Sequence, residues 1–132
     1  MTIGLLIVTH SRIGEAILKT AAKMLECEPP AVEFLPVGVD SNPEQLVAKA
    51  NELINRLDQG HGVLVLTDMY GSTPSNIAYS LADKGRVNVI SGINLPMLIR
   101  SLNYQTLDLD ALTEKALSGG REGIICCETL NK

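Results

Sequence analysis

The sequence predicts an α/β domain: a doubly wound, mostly parallel sheet in the order 2-1-3-4, helices on both faces, and a C-terminal edge strand. Three observations lead there. Short apolar runs of strand length alternate with longer segments of helical periodicity, in the order βαβαβαβ followed by a helix and a last strand. The run Val63-Leu64-Val65-Leu66-Thr67 shows no polar alternation, as expected of a strand covered on both faces. Right-handed crossovers with helices on both faces then favour a doubly wound sheet whose switch point lies between the first and third strands.

Ile3 to Val8 forms the first strand and breaks off into Thr9-His10-Ser11. The first helix follows, with Ile13, Ala16, Ile17, Ala21, Met24 and Leu25 on one face. Glu28-Pro29-Pro30 forbids its continuation, and Ala31 to Val37 is the second strand. Asn42 is the candidate N-cap of the second helix and Pro43 its first residue. Leu46, Val47, Ala50, Leu53, Ile54 and Leu57 form its buried side, with Glu52 and Arg56 paired on the other. After the central strand, Thr73 is expected to cap a helix that starts with Pro74 and runs through Ile77, Ala78, Leu81 and Ala82 to a stop at Gly85. Arg86 to Ser91 is the fourth strand. Asn94 and Pro96 open a helix to about Leu102, and a further helix through Leu109, Leu112, Ala116 and Leu117 stops at Gly119-Gly120. Glu122 to Leu130 is the expected last strand.

At 132 residues with 45% apolar content the chain reads as a single domain, 1–132, with a full core. Aromatic residues make up 3%, so that core is aliphatic. A net charge of −4 with scattered Lys and Arg excludes an electrostatic footprint for nucleic acid. The N-terminal apolar run is too short to span a membrane and lacks the flanks of an export signal. Cys27, Cys126 and Cys127 form no zinc-type spacing and read as reduced, mostly packing residues of a cytoplasmic protein.

The 2-1-3-4 order brings His10, at the end of the first strand, beside Asp68, at the end of the third. A carboxylate accepting one ring N–H fixes the imidazole tautomer and leaves the other nitrogen free as a nucleophile for phosphorus. Helix N-termini after His10 and at Thr73-Pro74 would offer donors to phosphoryl oxygens. The hydroxyls of Ser11, Ser72 and Thr73 are the phosphate-binding candidates. Arg12, Met69 and Tyr70 beside this site are candidates for partner docking, although Met69 and Tyr70 could equally fold inward. His61, at the opposite edge, reads as a solvated turn residue, and Arg100 as a surface cation. No cofactor or metal site is expected. Dinucleotide, Walker and nucleophile-elbow motifs are missing, and a metal-binding receiver domain would need acidic residues where Thr9-His10-Ser11 stands.

The chain resembles the mannose-family enzyme IIA of the bacterial phosphoenolpyruvate-dependent sugar phosphotransferase system. The likeness is carried by Thr9-His10, Asp68-Met69-Tyr70-Gly71-Ser72-Thr73-Pro74, Gly92-Ile93-Asn94-Leu95-Pro96-Met97-Leu98 and Gly120-Arg121-Glu122-Gly123, in that order along essentially the whole chain. The resemblance implies that His10 takes phosphate from the phosphocarrier HPr and passes it to a IIB component, with Asp68 as the partner carboxylate. Because the chain stops at Lys132, that IIB component is expected on a separate chain. Family members usually carry Gly-Gly-Ser-Pro where this chain has Gly71-Ser72-Thr73-Pro74, which puts Thr73 at the hydroxyl position and Ser72 at a glycine. The resemblance also implies a homodimer in which the terminal strand can cross between subunits. A regulatory protein, phosphorylated on His10 as a signal and passing the group nowhere, is the alternative that these residues leave open.

Overall fold

A computed structural model describes residues 1–128. Four parallel strands, β1 (Gly4–His10), β2 (Val32–Val37), β3 (Val63–Thr67) and β4 (Val87–Ser91), form one sheet in the order β2-β1-β3-β4. Five helices surround it: α1 (Ile13–Leu25), α2 (Pro43–Leu57), α3 (Thr73–Tyr79), α4 (Leu95–Asn103) and α5 (Leu109–Glu122). The expected fold class and strand order hold.

Alternation along the central strands divides the core into two layers. Leu6, Val8, Val63 and Val65 meet α2 and α3 on one face through Ala50, Leu53, Ile54, Ile77 and Ala78. Leu5, Ile7, Leu64 and Leu66 meet α1, α4 and α5 on the other through Ala21, Leu98, Leu112 and Ala116. β2, at the edge, tolerates Pro36 because an edge strand can spare an N–H.

Several expected details change. In α1 the buried positions are Gly14 and Ala21, with Ile17 and Leu18 packed against that layer, whereas Ile13, Ala16 and Met24 face solvent. The apolar arc of this helix is wider than the strip the sheet covers. Asn42 caps α2 as expected, its side chain accepting from the Glu44 and Gln45 N–H groups. Arg56, however, reaches across to Glu33 at 3.2 Å, and Glu52 lies 3.9 Å from Lys49. Thr73 is the first residue of α3 and Ser72 holds the cap position, so the capping assignment shifts by one residue. That helix closes at Tyr79, before Leu81, because the Ser80 hydroxyl turns back onto the Ile77 carbonyl and Asp83 bridges to Val87.

The largest departure is at Gly119-Gly120. Helix α5 runs through both glycines to Glu122, and no strand forms over residues 122–128; positions 129 and 130 of the expected strand lie outside the described residues. The glycines serve packing. A Cβ on Gly119 would sit 2.8 Å from Arg100 Cβ, and one on Gly123 2.5 Å from Pro96 Cγ. Missing side chains let α5 lie directly against α4, and Asn94 ties the two together by donating to the Gly120 carbonyl at 3.0 Å. Cys27, Cys126 and Cys127 are all exposed rather than packed.

Candidate functional site

β1 and β3 run side by side, and the two chains leaving them diverge to α1 on one face and α3 on the other. At that divergence His10 Nδ1 lies 2.7 Å from Asp68 Oδ2, and the same oxygen accepts the His10 backbone N–H at 3.0 Å. Asp68 Oδ1 accepts the Met69 N–H at 3.0 Å. The carboxylate is therefore held on both oxygens, and it grips both the ring and the backbone of the histidine. Burial by itself pushes the Asp68 pKa up, but the His10 backbone N–H, the His10 ring and Asp68's own backbone N–H outweigh it, so the carboxyl sits below its ordinary value. A carboxylate that stays ionised favours the Nδ1–H tautomer and leaves the Nε2 lone pair for chemistry.

The His10 side chain is 45% exposed and that of Asp68 only 12%, so the carboxylate is covered while the ring faces outward. His10 opens on a cleft of about 430 Å³ lined by Ser11, Val37, Gly38, Val39, Ser41, Pro43 and Thr73. Ser11 precedes α1, Pro43 begins α2 and Thr73 begins α3, so three helix N-termini converge on the ring.

Of the residues expected to bind phosphate, Ser11 and Thr73 line this cleft. Ser72 does not: its hydroxyl donates to the Met69 carbonyl at 2.6 Å and tightens the loop instead. Met69 and Tyr70 are exposed beside the site rather than folded inward, and the Tyr70 ring meets Tyr79 edge to face at 5.9 Å. Arg12 is exposed at the start of α1. His61 lies at the amino edge of the sheet with Gly85 and Asp108, away from His10. Arg100 pairs with Glu122 and Ser118 on the α4–α5 surface. Val37 to Pro43, the whole β2–α2 connection, escaped the sequence reading as part of the site. The signal was present, since the β2 neighbour of β1 must end beside His10 and Asn42-Pro43 marks a third helix start there.

Among the described residues no cluster of three or more His, Cys, Asp or Glu side chains is placed to hold a metal ion, and no helix is long and apolar enough to cross a membrane. A half-exposed imidazole, hydrogen-bonded to a largely covered carboxylate at the switch point of a parallel sheet, defines the class: an α/β domain with one His–Asp pair at the carboxyl end of its central strands.

The chain belongs to the mannose-type enzyme IIA family of the phosphotransferase system, the family model described as "PTS system fructose IIA component" matching residues 4–117. It is 39% identical over 127 residues to the PTS system mannose-specific EIIAB component of Escherichia coli K12, covering 94% of this chain but 39% of that protein. It thus spans about two fifths of that relative's length. The fructose-specific EIIA component of Bacillus subtilis 168 is 28% identical over 118 residues, 87% of this chain and 81% of that one. Among solved structures, phosphotransferase system component EIIA from Streptococcus agalactiae superposes with a TM-score of 0.85 at 24% identity over 96% of this chain and 98% of that chain. The mannose/sorbose specific IIA subunit from Enterococcus faecalis does so with a TM-score of 0.83 at 23% identity, covering 96% and 95%. These last two likenesses concern the fold.

Proposed function

We propose that this chain is a phosphoryl carrier in sugar uptake: His10 accepts phosphate from phospho-HPr and passes it to a IIB component. The observation that carries this reading is the 2.7 Å contact between His10 Nδ1 and Asp68 Oδ2 on a ring that opens to the cleft. In the transfer, the Nε2 lone pair forms a P–N bond as the donor's bond to phosphorus breaks, its electron pair returning to the donor. Nδ1–H stays on Asp68 and the carboxylate balances the positive charge that builds on the ring. Thr73 and Ser11 are the hydroxyls within the cleft that can donate to phosphoryl oxygens. On handover to IIB the same steps run in reverse, with Nε2 as leaving group.

Arg12, Met69 and Tyr70, joined by the fully exposed Val39, give the cleft a rim suited to protein partners rather than to a free sugar. The exposed Ile124 and Ile125 are apolar surface consistent with a homodimer, which sedimentation velocity at micromolar concentration tests directly.

The deciding experiment incubates the protein with enzyme I, HPr and labelled phosphoenolpyruvate, maps acid-labile phosphate, and then adds a mannose-type IIB protein. Label on His10 that moves to IIB is expected. Label that never reaches His10 would overturn the carrier reading, and label that reaches His10 but is passed to no IIB would move the protein to the signalling class.

A further inference from the structure

We infer that Thr9 is a positioning residue for His10, its hydroxyl locking the strand-to-helix turn that aims the imidazole at Asp68 and the cleft; the inference rests on the carrier reading above. Thr9 is 1% exposed, beneath the turn rather than in the cleft. Its Oγ1 accepts the Gly14 N–H at 2.7 Å and donates to the His10 carbonyl at 3.3 Å. The hydroxyl thus bridges the first turn of α1 to the carbonyl of the nucleophile itself.

The need for such a bridge comes from the turn. Arg12 occupies the cap position of α1 without a capping side-chain bond, so Thr9, five residues before Gly14, supplies the acceptor that a capping Ser or Asp would normally provide. Between them Ser11 is held at φ 45°, a left-handed conformation costly for a residue with a Cβ. Such a turn persists only where its surroundings fix it. The Ser11 N–H bonds the Val37 carbonyl at 3.0 Å, and Asp68 takes the His10 N–H. Gly14 leaves no slack, because a Cβ there would lie 2.9 Å from Ile7 Cγ2 and 3.1 Å from Thr9 Oγ1. Removing the hydroxyl leaves the Gly14 N–H without its acceptor under α1 and frees the His10 carbonyl. The turn can then relax out of the strained Ser11 conformation and carry the ring off Asp68.

The test compares Thr9→Val, which keeps shape but not the hydroxyl, with Thr9→Ser, which keeps the hydroxyl. Two readouts are taken on folded protein: the His10 tautomer by ¹⁵N NMR, without any donor protein, and the rate of His10 phosphorylation by phospho-HPr. Thr9→Val is expected to lower the Nδ1–H tautomer population and slow transfer by roughly tenfold, the low end of what losing an orienting partner costs, while Thr9→Ser stays within about twofold of the parent. A merely structural threonine would lower stability without moving the tautomer. If Thr9→Val does not fold, Thr9→Ala, with room for a water at Gly14, is read in the same two ways. A folded variant lacking the hydroxyl that keeps both the parent tautomer and the parent rate overturns the proposal. The tautomer readout separates this failure from failure of the carrier reading, which would show as absence of label in the parent protein.

Discussion

Replacing Asp68 by Asn is the most informative single perturbation, because it conserves shape while removing one acceptor and the charge. Asp68 Oδ2 serves two His10 donors and Oδ1 serves the Met69 N–H, three bonds in all at 2.7 to 3.0 Å. An asparagine has one oxygen for these three donors. If its oxygen faces His10, the ring keeps its tautomer but its bond changes from charge-assisted to neutral, a loss of about 1–1.5 kcal/mol. That loss corresponds to roughly a tenfold slower transfer if it is felt in the transition state. The amide NH2 would then oppose the Met69 N–H. If instead the NH2 faces His10, Nδ1 must become an acceptor, the proton moves to Nε2, and the nucleophilic lone pair is gone; a wrong tautomer of this kind costs up to ~10⁴-fold in a comparable histidine–carboxylate pair. Transfer from phospho-HPr to Asp68→Asn should therefore fall between those limits, measured by rapid-quench labelling on protein whose circular dichroism matches the parent. A folded variant within twofold of the parent rate would refute the role given to this carboxylate.

Other perturbations separate the remaining parts. His10→Ala should abolish labelling and His61→Ala should leave it intact, with label surviving in the first variant counting against His10. The isolated transfer from phospho-HPr should be insensitive to a divalent-metal chelator; its loss would point to a bound ion. Asp58 gives a stability prediction: burial raises its pKa, but the Gly60 and Gly62 N–H groups and Arg86 prevail and lower it from the ordinary 3.8. A depressed folded pKa means that its stabilisation is complete above about 3.8 and fades as pH falls below that value through the folded pKa, so urea midpoints of Asp58→Asn should show a shallower acid limb than the parent. Gly4→Ala should lower stability by about 1–3 kcal/mol through overpacking, since the new Cβ would lie 2.8 Å from both the Leu57 carbonyl and Leu57 Cβ.

The sheet order and the His10–Asp68 pair were legible in the sequence because both follow from patterns that tertiary context rarely overrides: uniformly apolar central strands, and polar residues where those strands stop. Asn42 and Asn94 were legible as caps because a side chain that bonds its own helix start needs no distant partner. What could not be read depends on contacts distant in sequence. Gly119 and Gly120 look like a helix stop in isolation and become interior residues only because Arg100 and Met97 pack onto them. Ser72 offers a hydroxyl to any reader of the motif, but only the folded loop shows it spent on the Met69 carbonyl. Thr9 reads only as the first polar residue where the strand breaks off, and its bond to Gly14 appears only once α1 is laid against β1.

The glycine contact between α4 and α5 also fixes where α5 ends. Helix α5 begins near His61 and Gly85 at the amino edge of the sheet and ends against Pro96, at the edge where His10 sits. Residue 123 therefore lies at the same end of the sheet as His10. A domain inserted after α5 would start at the His10 end of the sheet rather than at the opposite one. A flexible connector of about ten to twenty residues, with a mean reach of roughly 16–27 Å, would hold such a domain near the millimolar effective concentration typical of short tethers. The placement makes the end of α5 the natural point for engineered insertions meant to approach His10, and the amino-edge loops the poor choice.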